Sequence, residues 1–556
     1  MPAHRVRSRI ALAPMGQRGA GGVAIKTDEV GGLTEMLDRF GRDLDEWLGR
    51  MPVAHPAAPD EYAPDVAAAY QRLKAGIGRS SDVLMRRVLT PACPEPVLVA
   101  CVDGLADTQM VDQDIILPLL ATSEPPRRWG HTALTPVHIR PERRWPALLT
   151  ALAGGSTLVF APALPFVWVV DTVKYPARPI ERPQTELAVR GPEEAFNEVL
   201  LTQKNQLRRR LATPALQFHD VSIGRVQHMT ASVAYLDGLT NAALVQTAVS
   251  RLRALDVDGV ANATQVAGLI RDHPWSAFPT LRATERVDIV VWRLLEGAVA
   301  ILVDGDPFVL LAPAPLVSFY RTSMDYSTSW ADASFTRLIR FAGWVLALYL
   351  PALYIALSEV NPSLLPGSLL IIMDGNHAGL PFSPLVEIIL MILVIEILRE
   401  AAIRLPKVLS TTLGTVGAIV VGTAVVRAGL VDPQVIVMMT LTALSLFSTP
   451  VYELVGAWRL WGFALLVGGA ILGLLGVVLV TMVALAVVMD MESFGVPYFT
   501  PWAPFRSVDW SDAMMRIPWT GVTRRWQEAR PQSAQWRRPK PAAPRPHLLK
   551  AKRRHD

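Results

Sequence analysis

Five long stretches of apolar residues in the second half of the chain limit its fold more than any other feature. They cover residues 341–357, 385–398, 408–426, 435–455 and 461–489. An α-helix needs about 20 predominantly apolar residues to cross a bilayer, and the last stretch is longer than one crossing needs. We therefore expect an all-α polytopic transmembrane bundle over residues 336–492, with four to six spans.

The rest of the chain has the composition of a soluble protein. Charged residues make up 19% of all 556 residues, against about 25% in a typical soluble domain. The deficit is local, because most of the apolar excess lies between residues 341 and 489. We expect a disordered or variable extension over 1–60, a cytosolic domain over 61–335 and a C-terminal segment over 493–556 that ends in a basic, Pro-rich tail.

Two similar apolar patterns indicate that the cytosolic domain consists of two lobes. Residues 295–311 form an apolar run, an Asp-Gly-Asp-Pro turn and a second apolar run, which is typical of a β-hairpin. Residues 156–170 have a similar pattern, with prolines between two short runs. Together with segments of helical spacing, they predict an α+β cytosolic region of two α/β lobes, over about 61–180 and 181–335.

Basic residues predict how the apolar segments are oriented. Arg337 and Arg340 precede the first segment, and loop 358–383 contains no Lys or Arg. Further basic residues follow the second segment and separate the fourth from the fifth, namely Arg399, Arg404, Lys407 and Arg459. Because cytoplasmic loops are enriched in Lys and Arg, the soluble domain and the predicted loops 399–407 and 456–460 are expected in the cytosol.

The C-terminal tail conflicts with a count of five spans. From Arg506 onward there are 13 Lys and Arg residues against 4 Asp and Glu, which is typical of a cytoplasmic anchor near anionic lipid. Five spans would place this tail outside, so an even number is favoured. Three routes stay open: an extra crossing at 364–373, a re-entrant segment at 494–505, or a division of 461–489 into two helices.

Motifs for catalysis, metal binding and disulfide bonding do not stand out in the sequence. It has no GxSxG, P-loop, HExxH or dinucleotide-binding pattern, so we expect no enzyme activity and no cofactor. The two cysteines, Cys93 and Cys101, form no zinc-binding pattern and are expected to be free, as in a reducing compartment. The N-terminus has no signal-peptide core. The expected partners include membrane lipids and not nucleic acid.

Five stretches in the same order and spacing resemble the A subunit of GerA-type spore germinant receptors. They are 185–196 with 205–211, 278–279 with 284–286, 296–307 with 325–326, 398–406, and 493–498 with 501–504. The resemblance covers about residues 95–520. Two positions depart from the family pattern: Glu193 replaces the usual basic residue after Gly-Pro, and Val287 replaces the usual Pro after Thr-Glu-Arg.

The resemblance implies a non-enzymatic role in the spore inner membrane. Such subunits act with a permease-like B subunit, in which the nutrient is thought to bind, and with a lipoprotein C subunit. Together they are thought to form an oligomeric, nutrient-gated ion channel that triggers germination, so a homo-oligomer of this chain is expected. Two alternatives stay open, a secondary transporter with a regulatory cytosolic domain and a scaffold that does not conduct ions.

The first family stretch also supplies candidate site residues. They are Glu186, Arg190, Gly191, Pro192, Glu194 and Asn205. The Gly-Pro pair predicts the start of a helix over 193–211, with Glu194 near the positive end of its dipole. This interpretation favours a helix cap over a ligand site. The three arginines at 208–210 are expected to form a solvated basic face.

Two groups of residues in the apolar half are candidates for coupling and for a pore. Glu396, Arg399, Glu400 and Arg404 form a charged stripe on one helix, which could pair with the soluble domain or be an ordinary salt-bridged helix end. Thr411, Thr415, Ala418 and Gly422, with Val425 nearby, place small and hydroxyl side chains on one helical face. That face could line a pore or pack closely against another helix.

Overall fold

The computed structural model describes residues 61–174, 182–377, 380–404, 424 and 427–537. Within them, a first α/β lobe is followed by a second, by a set of apolar helices and by a C-terminal segment. Elements are labelled below in chain order, and helices shorter than eight residues carry no label.

The first lobe is a five-stranded antiparallel sheet covered by helices on both faces. Its elements are α1 (Val66–Ala75), β1 (Val83–Thr90), β2 (Cys93–Val102), β3 (Ile139–Glu142), α2 (Trp145–Ala153), β4 (Thr157–Phe160) and β5 (Val167–Val170), with short helical turns at Thr108–Met110, Leu117–Ala121 and Trp129–Thr132. The strand order is β1-β2-β4-β5-β3. Leu98 and Ala100 of β2 pack with α1 and α2, whereas Val97 and Val99 pack on the other face.

The second lobe repeats the architecture of the first. Its elements are α3 (Leu200–Arg210), β6 (Leu216–Ile223), β7 (Met229–Leu236), α4 (Ala242–Arg253), α5 (Ala263–Ile270), β8 (Arg282–Thr284), α6 (Val287–Leu295), β9 (Val299–Val303) and β10 (Val309–Ala312). The strand order, β6-β7-β9-β10-β8, follows the same pattern as in the first lobe. The predicted pair of α/β lobes and both predicted hairpins are therefore confirmed.

Local details repeat between the lobes as well. Gly155 before β4 and Gly297 before β9 have φ angles of 97° and 90°, which favour glycine in both turns. The isolated bridge between Glu61 and Arg144 has a counterpart between Ala195 and Arg286. The Asp-Gly-Leu turns at 103–105 and 237–239, which follow β2 and β7, are also equivalent in sequence. These matches point to an internal duplication.

A buried ion pair fixes the two lobes to each other. The Arg208 guanidinium of α3 donates two hydrogen bonds to Asp82 before β1, from Nε at 2.8 Å and from Nη2 at 2.9 Å. Both side chains are at most 1% exposed. The hydroxyl of Ser80 accepts a further bond from Arg208 at 3.0 Å and one from the backbone N–H of Phe218 at 2.9 Å. The expectation that 208–210 form a solvated face is wrong for Arg208, because its partner comes from the other lobe.

Six labelled helices follow the second lobe. They are α7 (Trp330–Ile355), which continues as a π-helical turn over Ala356–Val360, α8 (Gly367–His377), α9 (Pro384–Arg404), α10 (Pro433–Phe447), α11 (Tyr452–Leu472) and α12 (Leu474–Asp490). Trp330–Val360 and Tyr452–Leu472 are long and apolar enough to cross a membrane, and α10 and α12 are shorter apolar helices.

Contacts between these helices define two ends. At the end near the second lobe, Trp344 of α7 packs on Trp458 of α11, which also contacts Phe278 of the lobe. At the far end, the Asn361 side chain accepts a hydrogen bond from Leu474 N at 2.9 Å. Helices α9, α10 and α12 begin at the far end, whereas α7 and α11 begin near the lobe.

The last two predicted apolar segments have different boundaries in the structure. The predicted segment 435–455 is interrupted after Phe447, and α11 begins at Tyr452. The predicted segment 461–489 is divided at Gly473, whose φ of 61° ends one helix and begins the next. This division is one of the three routes that the sequence left open. Residues 399–407 and 456–460 were predicted as loops. This is wrong for 399–404, which lie inside α9, and for 456–460, which lie inside α11.

The C-terminal segment returns to the second lobe. It begins with the two short strands β11 (Glu492–Ser493) and β12 (Val496–Pro497), and a short helix covers Ser507–Trp510. The hydroxyl of Ser493 donates to Thr280 O at 2.5 Å and accepts from Ala314 N at 2.9 Å. Gln532 N donates to Leu239 O at 2.8 Å. Residues 492–537 therefore lie on the same side of the helices as the lobe, and residues 538–556 lie outside the described part.

Replacing Arg208 by Met is expected to destabilise the junction between the lobes. The substitution leaves the Asp82 carboxylate buried without its charge partner, which costs about 3–5 kcal/mol. Differential scanning fluorimetry of the purified chain should show a clearly lower melting temperature. The matched control is Arg225→Met, since Arg225 is 63% exposed and its pairing with Asp258 contributes about 0–1 kcal/mol. Equal melting temperatures for the two variants would contradict the assignment.

Candidate functional site

Eight charged side chains form a buried cluster where the second lobe, the first long helix and the C-terminal segment meet. This charge cluster consists of Arg293 and Glu296 at α6, Arg321 and Asp325 after β10, Arg337 and Arg340 of α7, and Asp512 and Glu528 of the C-terminal segment. Each of these side chains is at most 10% exposed. The cluster is the most extensive buried ionic arrangement among the described residues.

Two arginines of α7 anchor one half of the cluster. Arg337 donates from Nε to Asp325 at 2.9 Å and from Nη1 to Asp512 at 2.8 Å. One turn further on, Arg340 donates from Nη2 to Asp325 at 3.2 Å. The start of the helix is thus bound both to the segment that precedes it and to the C-terminal segment.

Two more arginines carry the pairing into the second lobe. Arg321 lies with Nη2 2.6 Å from Glu528 and with Nε 3.2 Å from Asp512. Arg293 of α6 donates from Nη1 to Glu528 at 2.9 Å and to Glu296 at 2.5 Å. A chain of ion pairs therefore runs from α6 through the C-terminal segment to α7.

The charges of the cluster balance, with four guanidinium groups and four carboxylates. Taking them out of water is costly, and their attraction offsets this cost only when every partner is present. Burial raises the pKa of Asp325, but Arg337 and Arg340 outweigh that effect and hold the pKa below its usual value. Asp325 therefore stabilises the fold at neutral pH, and this contribution is lost as the pH falls through its depressed pKa.

Glu296 behaves in the opposite way. Burial raises the pKa of its carboxyl to about 7, with Arg293 opposing the shift and Glu528 adding to it. A group whose pKa is raised on folding stabilises the fold at low pH, and the contribution is lost as the pH rises between the two pKa values. Here that range runs from about 4.5 to about 7. The cluster thus contains one carboxyl that changes its charge near neutral pH.

The charge cluster was only partly visible in the sequence. Arg337 and Arg340 were expected to mark the cytosolic boundary of the first apolar segment. Their side chains are only 4% and 8% exposed, so they pair with carboxylates and not with water. Asp512 and Glu528 are two of only four acidic residues from Arg506 to the end of the chain. Acidic residues isolated in a basic segment were the signal that could have identified them.

The residues of the first family stretch support the second lobe around the cluster. Glu186 accepts a hydrogen bond from Arg282 Nη2 at 3.1 Å, and Pro192 O accepts one from Arg286 Nη2 at 2.7 Å. Gly191 has a φ of 125°, and a Cβ atom there would lie 2.8 Å from the Ser327 hydroxyl. Arg190 is exposed. The stretch therefore connects β8 and α6 with the helical turn at 323–327.

The predicted helix start at Gly191-Pro192 is wrong. Helix α3 begins at Leu200, because Ala195 forms a bridge with Arg286 and keeps this segment extended. Glu194 does not lie at the helix N-terminus but pairs with Arg209 and, at 2.7 Å, with Arg210 in the last turn.

Asn205 belongs to the contact between the lobes. A Cβ atom at Gly104 would come within 2.3 Å of the Asn205 side chain, so this glycine allows the close approach. Gly104 has a φ of 76° and lies in the turn that follows β2. Like Arg208, Asn205 therefore holds the first lobe against α3.

The predicted charged stripe on α9 pairs mainly within the helices. Glu396 accepts a hydrogen bond from Arg459 of α11 at 2.9 Å and also pairs with Arg399 of its own helix. Glu400 is exposed, and the side chain of Arg404 lies outside the described residues. Because Arg459 follows Trp458, which packs on Phe278, the stripe is connected with the second lobe through α11.

Glu387 lies at the opposite end of the helices. Its side chain is fully buried, and its Oε2 accepts a hydrogen bond from Asp432 N at 2.9 Å, at the beginning of α10. Glu387 is therefore part of the junction between α9 and α10.

The candidate pore residues lie outside the described residues. They are Thr411, Thr415, Ala418, Gly422 and Val425. Their proposed role therefore stays a prediction. Both cysteines are free, and they lie near the two ends of β2.

Comparison with known proteins places this architecture in context. Residues 71–528 match the family described as "Bacillus/Clostridium GerA spore germination protein". The matched region begins inside α1 and includes the rest of both lobes, helices α2 to α12 and all eight residues of the charge cluster.

Individual relatives match over most of their length. Spore germination protein KA of Bacillus subtilis (strain 168) is 31% identical over 493 residues, which cover 87% of this chain and 91% of that protein. Spore germination protein B1 of the same organism is 31% identical over 457 residues, covering 82% and 95% respectively. The crystal structure of the N-terminal domain of the A subunit of the Bacillus megaterium spore germinant receptor GerK3 is 24% identical. It covers 46% of this chain and 96% of that domain, with a TM-score of 0.35.

Replacing Asp512 by Asn is expected to release the C-terminal segment from the lobe. Arg321 and Arg337 would each lose a buried charge partner, at a cost of about 3–5 kcal/mol. Limited proteolysis should cleave residues 492–537 faster than in the wild type, and the melting temperature should fall. The control is Asp332→Asn in the exposed first turn of α7, where the loss of a favourable helix-dipole interaction costs about 0.3–1 kcal/mol. Unchanged proteolysis of Asp512→Asn would argue against the cluster as the anchor.

Proposed function

Since the chain belongs to the Bacillus/Clostridium GerA family of spore germination proteins, we propose that it is the membrane subunit of a nutrient-sensing spore germinant receptor. In this proposal it assembles with a permease-like B subunit and a lipoprotein C subunit in the spore inner membrane. Several copies form an ion channel that opens when the receptor senses a nutrient. The family match over residues 71–528 is the observation that carries the proposal.

Exposed apolar side chains on the helices support a location in the membrane. Among the described residues, large apolar side chains with at least half of their surface exposed occur on each of the helices α7 to α12, for example Phe335, Ile371, Leu393, Val437, Ile471 and Met482. Soluble proteins seldom expose contiguous apolar surfaces of this kind, whereas lipid-facing helices require them. The name of one relative, uncharacterized membrane protein YfkQ of Bacillus subtilis (strain 168), agrees with this location.

The directions of the helices favour six crossings. Helices α7 and α11 lead away from the second lobe, and α9, α10 and α12 lead back towards it. Residues 408–426, whose sequence predicts a span, are proposed as the sixth crossing, between α9 and α10 in the chain. An even number leaves the C-terminal segment on the side of the lobes, in agreement with its contacts there. The excess of basic residues in the tail supports a cytosolic location for that side.

Two sets of contacts carry a change in the soluble lobes into the membrane. The charge cluster binds the start of α7, and the aromatic contact between Phe278 and Trp458 binds α11. Both helices begin at these contacts, so a displacement of the second lobe moves helices directly. Glu396 pairs with Arg459 next to Trp458 and passes the displacement to α9. The predicted pore residues 411–425 come directly after α9 in the chain.

Single-cysteine labelling tests the proposed topology. In a chain without Cys93 and Cys101, an impermeant maleimide should label Ser533→Cys and Val226→Cys from the same side of sealed vesicles. Ser363→Cys, at the far end of the helices, should be labelled from the opposite side. These three positions are exposed in the structure, so accessibility depends on the membrane alone. Labelling of Ser533→Cys and Ser363→Cys from one side would refute an even number of crossings.

Germination assays and ion flux test the function itself. Spores that lack the gene should fail to respond to at least one nutrient, and the wild-type gene should restore the response. Glu396→Gln, which removes the charge that pairs with Arg459, should slow germination at normal protein level, whereas Glu492→Gln, at an exposed position of β11, serves as its control. The purified receptor complex in liposomes should conduct ions on nutrient addition. An assembled complex without flux would instead favour the scaffold alternative.

A further inference from the structure

A fully exposed tryptophan lies in the loop between α5 and β8. Trp275 belongs to this loop, which covers residues 271–281, and it is 100% exposed. An indole has an apolar ring and a single polar N–H group. In membrane proteins Trp is enriched where the bilayer meets water, because that boundary accommodates both parts of the side chain. The position of the loop relative to the apolar helices therefore decides what Trp275 contacts.

Hydrogen bonds within the loop fix the turn that carries Trp275. The Arg271 guanidinium donates from Nη1 to Ser276 O at 3.3 Å and from Nη2 to Pro274 O. Ser276 N donates to His273 O at 3.2 Å. Arg271 thus binds the carbonyl groups on both sides of Trp275, so the indole is exposed on an ordered turn.

The loop is attached to the end of α12. The Ser276 hydroxyl lies 3.3 Å from Met491 Sδ, and Glu492 N donates to His273 Nε2 at 3.2 Å. Met491 directly follows the last residue of α12. Both neighbours of the indole in the turn are therefore held where this helix ends on the side of the lobe.

The same loop is attached to α11. Phe278 is 1% exposed, and its ring centroid lies 5.2 Å from that of Trp458 and 6.3 Å from that of Trp461. Residues 460–489 contain no Asp, Glu, Lys or Arg. Since α11 leads away from the lobe and α12 leads back, both ends of this uncharged stretch lie on the side of the lobe. The loop contacts both ends, so Trp275 lies at the level where the two helices leave the apolar layer.

The exposed part of the turn carries no charge. Pro274, Trp275 and Ala277 are exposed and neutral. The nearby carboxylate of Asp272 is paired with Arg251 at 2.6 Å. Attraction between a basic patch and anionic lipid therefore does not explain this surface, whereas insertion of an indole beside headgroups of any charge does.

We propose that Trp275 inserts into the headgroup layer of the bilayer beside α11 and α12, so that the second lobe contacts the lipid surface directly. The inference rests on the membrane location proposed above. The ring faces the boundary between headgroups and acyl chains, and its N–H donates to a headgroup or water oxygen. The occupant of this surface is phospholipid, and not a second copy of the chain or a partner subunit.

This contact would hold the second lobe at a fixed height above the bilayer. The loop that carries Trp275 also carries Phe278, which packs on α11. A displacement of the lobe away from the membrane would have to withdraw the indole from the headgroups. The lipid contact therefore favours one position of the lobe and of α11 over others.

Electron paramagnetic resonance of the full-length chain in phosphatidylcholine liposomes tests the contact. A nitroxide is attached to Trp275→Cys, or to Ala277→Cys with the indole retained, in a chain without its native cysteines. Power saturation compares collisions with oxygen, which concentrates in the bilayer, and with a nickel chelate, which stays in water. The controls are Met482→Cys on an exposed part of α12 and Val226→Cys in the turn between β6 and β7.

We expect the ratio of oxygen to nickel collisions at positions 275 and 277 to lie between the two controls and clearly above that at Val226. Ratios equal to that at Val226, together with a high ratio at Met482, would overturn the inference and leave the membrane location intact. A ratio at Met482 as low as at Val226 would overturn both. Melting temperature and gel filtration check that each variant is folded.

Photocrosslinking in membranes identifies the occupant. Benzoylphenylalanine in place of Trp275 should form an adduct with phospholipid, detected by mass spectrometry, as the same group in place of Met482 does. In place of Val226 it should form none. A crosslink at Trp275 mainly to a second copy or to a partner subunit, or no lipid adduct there while Met482 gives one, would overturn the proposal.

Discussion

The structure depends on the burial of Arg337 and Arg340 near the start of the first long helix, because each buried guanidinium group needs a carboxylate partner. Both guanidinium groups are buried at the start of that helix, where charge without a partner is costly. Asp325, just before the helix, pairs with both arginines. The second partner of Arg337 is Asp512, which lies about 175 residues further along the chain. The C-terminal segment must therefore return to the second lobe, so residues 492–537 lie on the same side of the helices as that lobe.

The duplication of the α/β lobe gives the two copies different tasks. In the first copy, Asp82 and Gly104 receive Arg208 and Asn205 of the second copy. In the second copy, α6 and the turn that precedes α7 face the helices and the C-terminal segment. The first lobe is thus connected to the helices through the second. A partner that binds the first lobe can influence the helices because the junction between the lobes is a buried bidentate ion pair and not a flexible linker.

Much of the fold could be predicted because its signals are local. The hairpin at 295–311, the strand pair at 156–170 and most apolar segments follow from residues that are neighbours in sequence. The start of α3 was misplaced because Gly191-Pro192 is a strong local signal, whereas the bridge between Ala195 and Arg286 is a tertiary contact that overrides it. The boundary at Gly473 needed only one glycine with positive φ, which the long apolar run around it concealed.

The sequence by itself determined the division into polar and apolar parts and the α/β character of the lobes, because composition and periodicity record burial directly. The resemblance to the GerA family rests instead on five motifs in the same order and spacing. Only the tertiary structure decided that Arg208 is buried against Asp82, that Arg337 meets Asp512, and that Ser276 meets Met491 at the end of α12. These pairs join residues that are widely separated in sequence. A charged residue looks the same in a sequence whether its partner is water or a distant carboxylate, so the fold alone specifies which of the two it has.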